Sequence, residues 1–182
     1  ARHHHQSGRH PPPIKLKTAA RYAIILLVYS VHALANPKKV MSIIVDGMDQ
    51  SHCRIPHFGS QDSFSATVTQ HLLGCLRHGK GAKLYRSFNH LKTGANLTIY
   101  AILRELEDFK RENDGQYPEI LYVQVDGGSE NANQFVIAYL EYLVTKRICK
   151  KIVITRLPTG HTHEDIDGVF GVIWRWMRQR CI

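Results

Sequence analysis

Three aspartates, Asp46, Asp126 and Asp167, each lie at the end of an apolar run or just inside an amphipathic one. Asp126 is followed by two glycines, Gly127 and Gly128, which let the backbone turn sharply and let a bulky phosphate approach. Carboxylate oxygens are hard ligands that suit Mg²⁺ or Mn²⁺. Two such ions about 4 Å apart can activate an attacking water or hydroxyl and stabilise the leaving oxygen of a phosphodiester. This chemistry requires the three side chains to meet.

The elements that must position these acids follow from hydrophobic periodicity. Runs of alternating or continuous β-branched residues predict strands, and apolar residues at helical spacing predict helices. The turn "HGKG" at 78–81 joins two strands as a hairpin. We therefore expect helices at 15–36, 93–113, 130–147 and 163–180, and strands at 39–50, 66–79, 82–88, 119–125 and 150–158.

The apolar stripes of the last three helices predict their buried faces, with the charged residues of the first of them on the opposite side. The expected core residues are Ile99, Ile102, Leu103, Leu106 and Phe109, then Phe135, Tyr139, Tyr142 and Leu143, and finally Val169, Phe170, Ile173 and Trp176.

The order of elements predicts an α/β fold with a mixed five-stranded sheet. Three antiparallel strands precede alternating β/α units, and an extra helix comes first. This order matches the ribonuclease-H-like fold, in which the first strand lies centrally beside the fourth. Asp46 and Asp126 would then end adjacent parallel strands, and the last helix would add Asp167. Each aspartate alone is better explained as a turn residue or a helix cap, so the combination carries the hypothesis.

Two motifs resemble those of retroviral-type integrases and cut-and-paste transposases. "VDGGSENANQF" is similar to the motif of the second acid, and "IDGVFGVIW" is similar to that of the third. Together with "DGMDQ" and "LPTGHTHEDID", they resemble an uncharacterised integrase-like domain of eukaryotic transposon-derived proteins. The resemblance covers roughly 40–180, and it implies a catalytic core or a fragment of a longer transposase that carries its DNA-binding module elsewhere.

The resemblance implies a metal-dependent transposase or integrase that cuts or joins DNA. Two Mg²⁺ (or Mn²⁺) ions would be held by Asp46, Asp126 and Asp167, with Asp46 bridging both ions and the other two acids each completing one site. It further implies a nuclear location and association between copies. Two alternatives stay open: a ribonuclease or 3′–5′ exonuclease of the same fold, and a domesticated, non-catalytic module that binds nucleic acid or protein.

Further titratable residues lie near the motif acids in the sequence. Asp49 follows Asp46 by three positions, and Glu130 follows Asp126 by four and either faces the site or caps a helix. In "HTHED", the imidazoles can contact phosphate or shuttle protons, and the group can alternatively hold a transition metal. The auxiliary candidates there are His161, His163 and Glu164.

Basic residues predict where nucleic acid would lie. Residues 77–92 carry five Lys/Arg and no acid, and the segment "WRWMRQR" interleaves arginine with tryptophan. Such cations neutralise phosphates, although a basic edge strand that discourages aggregation gives the same pattern. The candidate nucleic-acid contacts are Lys80, Lys83, Arg86, Arg175 and Arg178.

Charge and composition bound the remaining features. The net charge of +9 is concentrated in residues 1–40, which contain seven Lys/Arg and no Asp or Glu. We expect residues 1–14 to form a disordered basic tail and residues 15–182 a single domain. The four cysteines form no CxxC pair, which indicates reduced thiols in an intracellular protein. The apolar run 22–35 is shorter than a membrane span requires.

Overall fold

A computed structural model describes residues 13–49, 53–55, 68–88, 94–125, 133–156 and 164–180. Every predicted helix and strand is present within these ranges, and one two-residue strand, Arg54–Ile55, was not predicted. So short a strand carries no periodic pattern and exists through its pairing with Val68 and Thr69. The elements are α1 (Pro13–Ala35), β1 (Val40–Gly47), β2 (Arg54–Ile55), β3 (Val68–Arg77), β4 (Gly81–Phe88), α2 (Ala95–Glu112), β5 (Ile120–Val125), α3 (Gln134–Thr145), β6 (Lys151–Arg156) and α4 (Glu164–Arg180).

The sheet has β1 at its centre. On one side β1 pairs antiparallel with β3, which pairs antiparallel with β4. On the other side β1 pairs parallel with β5, and β5 pairs parallel with β6. This order, β4-β3-β1-β5-β6, is the mixed five-stranded arrangement of the ribonuclease-H-like fold, and the predicted fold class is confirmed. The short β2 pairs with the first two residues of β3.

The larger core lies between the sheet and the two helices α2 and α3. Alternate residues of β1, Met41, Ile43 and Val45, point to this side because successive strand side chains face opposite ways. They meet the buried faces of the two helices, and burial of this apolar surface is the main force that holds the layers together. The helix residues in this core are Ala101, Ile102, Leu106, Phe109, Val136, Leu140 and Leu143.

A second, smaller core lies on the opposite face of the sheet. Ile44 and Leu72 point to this side and pack against Ile166 and Phe170 of α4. Leu26 of α1 packs against the same cluster. The helices α1 and α4 therefore cover the face of the sheet that α2 and α3 leave open.

The helix α1 is held to the sheet by aromatic and polar contacts. The ring of Tyr29 stacks on that of Tyr122 at a centroid distance of 4.0 Å. His32 Nδ1 lies 2.9 Å from the hydroxyl of Tyr122, and the hydroxyl of Tyr29 lies 3.3 Å from that of Thr155. No helix of the described residues, α1 included, has the length and apolar character that crossing a bilayer requires.

Four of the predicted core positions are wrong. Leu103, Phe135, Tyr142 and Trp176 are 40%, 64%, 51% and 54% exposed. The buried face of each helix is rotated from its most apolar stripe, so that Val136, Leu140 and Leu143 carry the contact of α3. In α4 the buried stripe begins at Ile166, and Trp174 rather than Trp176 packs against the core.

The sequence predicted that the charged residues of α2 lie opposite its core face. For two of its acids, Glu105 and Asp108, this is wrong. Glu105 is 1% exposed and Asp108 7% exposed, because cations on the hairpin β3–β4 meet them there. Arg77, itself 5% exposed, donates to both carboxylate oxygens of Glu112 at 2.6 and 2.7 Å. Lys83 Nζ lies 2.8 Å from Glu105 Oε1 and also pairs with Asp108. A network of charges is thus buried between α2 and the hairpin.

Acidification is expected to destabilise the protein through His78. This imidazole is half-buried with its Nδ1 2.9 Å from Ser42 Oγ. Burial lowers its pKa below the ordinary 6.5, although the charge of Asp165 and the hydrogen bond to Ser42 oppose that shift. The unfolded chain therefore binds a proton at higher pH than the folded chain, so this contribution to stability is full above about pH 6.5 and declines as the pH falls below it.

Urea titrations of the wild type and His78→Gln at several pH values measure this effect. We expect the free energy of unfolding of the wild type to drop more steeply between pH 7.5 and 5.5 than that of the variant. Identical pH dependence in the two proteins would contradict the assignment.

Candidate active site

Asp46 lies at the carboxyl end of the central strand. Its side chain is partly exposed, and Oδ1 accepts a hydrogen bond of 2.8 Å from the Gly47 amide. The preceding residue, Val45, pairs in parallel register with Val125, the last residue of β5. Asp126 is the next residue along the chain and lies outside the described residues. The two acids thus follow two residues that are direct neighbours across the sheet.

The register of β1 with β3 determines which face Asp46 occupies. Asp46 is paired with Gly74 of the antiparallel neighbour, and paired residues point to the same side of a sheet. A Cβ atom built on Gly74 would lie 2.8 Å from the ring of Phe170 and 3.1 Å from Ile166. The face of Asp46 is therefore the face that α4 covers.

Asp167 lies in α4, between the two residues of that helix, Ile166 and Phe170, that pack over Gly74. Its predecessor Ile166 is fully buried, whereas Asp167 itself is partly exposed at the flank of the contact. Phe170, three residues on, is the other side chain that packs on Gly74. The structure thus brings the elements that carry Asp46 and Asp167 together on one face of the sheet.

The described residues by themselves form no complete metal site. No group of three or more His, Cys, Asp or Glu side chains within them is arranged to hold an ion. Of the predicted triad, this part of the chain contains Asp46 and Asp167, and Asp126 lies outside it. The predicted ligation by all three acids stays a prediction.

Close approach of α4 to the sheet depends on the absence of a side chain at Gly74. We expect Gly74→Ala to destabilise the protein by about 1–3 kcal/mol, because the added methyl overlaps the ring of Phe170. Thermal or urea unfolding of the variant measures this. The matched control is Gly171→Ala on α4, where a Cβ meets nothing within 4 Å. That change should stabilise the helix by up to about 1 kcal/mol, and equal effects of the two substitutions would contradict the packing argument.

Gln124 is a buried polar residue near the end of β5 that the sequence did not single out. It is fully buried on β5, pairs in register with Ile44 and Thr155, and lies two residues before Asp126. Neither its amide nitrogen nor its amide oxygen has a hydrogen-bond partner in the described part of the chain. A buried amide without partners is costly, so it marks a position where a polar group is needed. The only signal was a glutamine in the apolar run "YVQV", which equally fits a surface position.

Most of the auxiliary acids and histidines predicted from the sequence remain untested. Asp49 is exposed beyond the end of β1, and its carbonyl accepts a hydrogen bond of 3.3 Å from the thiol of Cys53. Glu130, His161 and His163 lie outside the described residues. Glu164 is the first residue of α4, and its side chain is not among those described.

Both lysines predicted to contact nucleic acid are already paired within the protein. Lys80 Nζ lies 3.0 Å from a carboxylate oxygen of Glu112, and Lys83 is held by Glu105 and Asp108. The hydrogen bond from Lys83 lowers the pKa of Asp108, against the opposing effect of burial. Phosphate contact by these lysines stays a prediction, and it would have to compete with these ion pairs.

Two of the three predicted arginines, Arg86 and Arg175, are exposed. Arg86 is exposed on β4, and its guanidinium carbon lies 5.1 Å from the ring centroid of Phe88. Arg175 is exposed on α4, and its Nε donates to the Gly171 carbonyl at 3.3 Å. Arg178 belongs to α4, and its side chain is not among those described.

Three of the four cysteines are free and buried, as predicted. They are Cys53, Cys75 and Cys149. Burial raises the pKa of the Cys75 thiol well above its ordinary value and that of Cys149 to about 11. These thiols are therefore protonated at neutral pH and unsuited to nucleophilic chemistry. Cys181 lies outside the described residues.

Among solved structures, a ribonuclease H1 shows a distant similarity to this chain. A crystal structure of LC11-RNase H1 in complex with an RNA/DNA hybrid matches 70% of this chain and 91% of that chain, with 13% sequence identity and a TM-score of 0.39. No curated protein matches the sequence.

The family assignment is specific. Residues 60–182 match the profile of the family described as "Domain of unknown function (DUF7869)", and the chain belongs to this family. The matched range contains Asp126 and Asp167 and begins after β1, the strand that carries Asp46. The description of the family states no activity.

Proposed function

We propose that the chain is the catalytic core of a transposase- or integrase-like enzyme that cleaves and joins DNA phosphodiester bonds with the help of divalent metal ions. The observation that supports this most is the register Val45–Val125, because Asp46 and Asp126 are the residues that follow these two paired positions of adjacent parallel strands in the sequence. The packing of Ile166 and Phe170 on Gly74 also supports the proposal, because it brings α4, the helix that carries Asp167, over the face of the sheet that Asp46 occupies.

The donor set fits a pair of hard divalent ions. Three carboxylates gathered at one place repel each other unless cations neutralise them, and their oxygens suit Mg²⁺ or Mn²⁺. Asp46, Asp126 and Asp167 would hold the ions. When bound, two such ions supply Lewis acidity that activates a water or hydroxyl and stabilises the leaving oxygen.

The remaining residues of the site would position these acids. Apolar packing of Ile166 and Phe170 fixes the rotation of α4 about its axis. That rotation would in turn set the direction of the Asp167 side chain. The amide of Gln124, buried on the same face as Ile44 and without a partner in the described residues, can donate to one oxygen of the site and accept from another group. Outer residues of this kind orient the ligands of metal sites.

DNA is the partner that the charge distribution favours. The net charge of +9 lies mostly in residues 1–40, and such a segment adds affinity without sequence specificity. Of the arginines predicted to contact nucleic acid, Arg86 and Arg175 are exposed and therefore accessible to phosphate. Binding should therefore weaken steeply as salt rises, in proportion to the number of phosphates neutralised.

Calorimetry with Mn²⁺ tests the metal site directly. We expect the wild type to bind Mn²⁺ at sub-millimolar to millimolar concentration and Asp126→Asn to lose this binding, because it removes a carboxylate without changing side-chain size. Failure of the wild type to bind a divalent ion at millimolar concentration would refute the enzyme proposal.

Cleavage assays identify the substrate. Duplex DNA ends, hairpin DNA, single strands and RNA/DNA hybrids are incubated with Mg²⁺ or Mn²⁺, and the products are separated by size. A transposase-like core should nick or join DNA ends and leave free 3′ hydroxyls. Cleavage confined to RNA/DNA hybrids would replace the proposed activity with that of a ribonuclease of the same fold.

A further inference from the structure

The helix α1 carries an apolar stripe that points away from the sheet. Ile24, Leu27, Val28, Val31 and Leu34 are each 53–63% exposed, although all are large aliphatic residues. The opposite side of α1 packs on the sheet through Leu26, Tyr29 and Ala33. A helix that is apolar on both sides normally has both sides covered. In the described part of the chain, the turn at Gly79 approaches Leu34 at one end of the outer side, and the rest of that side is left open.

The spacing and the residue types of this stripe specify a partner. Ile24, Leu27, Val31 and Leu34 follow the 3-4-3 spacing of heptad positions a, d, a and d. The a positions hold β-branched residues and the d positions hold leucine, the combination that favours two parallel helices over higher assemblies. We propose that α1 pairs with α1 of a second copy of this chain, in parallel and in register, to form a homodimer.

The lack of charge around the stripe favours a second copy over other occupants. Residues 22–37 contain no Lys, Arg, Asp or Glu. The a and d residues form the seam of the helix pair, and the positions that flank this seam are Ala23, Val28, Ser30 and Ala35. None of them is charged, so no charged pairs select a different partner helix. A helix that binds anionic lipid carries Lys or Arg along the flanks of its apolar face, whereas the cations of α1, Lys15, Lys17 and Arg21, all precede this stripe.

The size of the surface is sufficient for a specific dimer. Five half-exposed aliphatic side chains form a patch of roughly 500 Å². Two such patches would bury about 1,000 Å² in total, which is the lower limit for a specific interface. On the same face of the sheet, α4 exposes Val172 and Trp176 and can extend the contact.

The seam is short, but the helix is already formed in each copy. Ten residues of helix span only about 15 Å, too little for an isolated coiled coil. In this protein the packing of α1 on the sheet orders the helix before association. Dimerisation therefore does not have to offset the conformational entropy that is lost when the helix forms. Because the seam lies opposite the sheet-facing side of α1, the two domains would sit on the outer sides of the helix pair.

Sedimentation equilibrium of the full chain across the micromolar range tests the dimer. We expect a monomer–dimer equilibrium whose dissociation constant rises at least about tenfold in Leu27→Glu, because the interface would bury two unpaired carboxylates. The matched control is Phe135→Glu, an apolar residue of similar exposure on α3 across the sheet, which should leave the equilibrium unchanged. A monomeric wild type, or a dimer that Leu27→Glu leaves intact, overturns the proposal.

Disulfide trapping tests the parallel register and does not depend on enzymatic activity. In a Cys181→Ser background, Ile24→Cys should form a disulfide-linked dimer with itself under mild oxidation. A parallel pair places position 24 beside position 24, whereas an antiparallel pair places it near position 34. Cross-linking that requires mixing Ile24→Cys with Leu34→Cys overturns the parallel arrangement. Since metal binding and DNA cleavage are measured separately, failure here leaves the proposed function standing.

Discussion

Asp46→Asn is expected to lower the rate of metal-dependent DNA cleavage by at least about a thousandfold while leaving the fold intact. Asp46 ends the central strand and is the acid that would contact both ions, so its loss removes a ligand from each. Asparagine keeps the shape of the side chain and can still accept a hydrogen bond from the Gly47 amide. Initial rates on a DNA substrate in Mg²⁺ and Mn²⁺ measure the effect, and thermal unfolding checks the fold. Asp126→Asn and Asp167→Asn should cause losses of similar order.

The control for these substitutions is Asp114→Asn. Asp114 is exposed in the turn before β5, at the amino-terminal end of that strand, whereas Asp46 lies at the carboxyl end of the parallel strand β1. The same loss of charge at Asp114 should therefore leave cleavage unchanged. Its φ of 55° is tolerated by asparagine, and no change in stability is expected from strain. An Asp46→Asn enzyme that retains wild-type rates, or an Asp114→Asn enzyme that loses activity equally, would contradict the assignment of the site.

Arg77→Met is expected to destabilise the protein by roughly 3–5 kcal/mol. The Arg77 guanidinium is 5% exposed, binds both oxygens of Glu112 and lies 3.8 Å from the carboxylate of Glu105. Glu105 is 1% exposed and cannot regain water when Arg77 is removed, so it would depend on Lys83, 2.8 Å away, as its remaining counter-charge. Methionine fills similar space, so the loss would come from weakened charge compensation rather than from a cavity. Urea unfolding at neutral pH gives the change in free energy of unfolding.

An exposed ion pair on the same protein provides the comparison. Lys150 pairs with Glu119 at 2.8 Å, but both side chains are largely in water. Lys150→Met should therefore change stability little, since exposed pairs contribute little net energy. Adding Glu105→Gln to Arg77→Met should recover part of the lost stability, because it removes the buried charge. If Arg77→Met lowers the free energy of unfolding no more than Lys150→Met does, burial of the ion pairs of Arg77 contributes nothing to stability.

The fold could be predicted from the sequence to a large extent. Each predicted strand and helix exists, because β1 and β5 are short apolar runs and the helices have clear stripes at helical spacing. The two-residue β2 could not be predicted, since its only support is the hydrogen-bonded pairing with β3. The helix faces were predicted less well, and Phe135 and Tyr142 of α3 are exposed although they are its largest apolar residues.

The candidate site was predicted in part. The location of Asp46 at the end of the central strand follows from its position after an apolar run, and the structure places it there. Gln124 was missed because a polar residue in a strand predicts a surface position unless the layer above it is known. The roles of Lys80 and Lys83 were also open in the sequence, since a basic hairpin has the same composition whether it faces water, DNA or an acidic helix.

The amino-acid sequence by itself determined the order and type of the elements and the position of each acid along them, because backbone periodicity is a local property. Only the tertiary structure decided which side of each helix is buried and which charges are paired. Both depend on the surface that the opposite element presents: Glu105 and Asp108 are buried because Arg77 and Lys83 meet them, and α4 lies close to the sheet because Gly74 has no side chain. The aliphatic stripe of α1 was visible as composition, but its exposure became clear only once the other side of the helix was found packed on Tyr122.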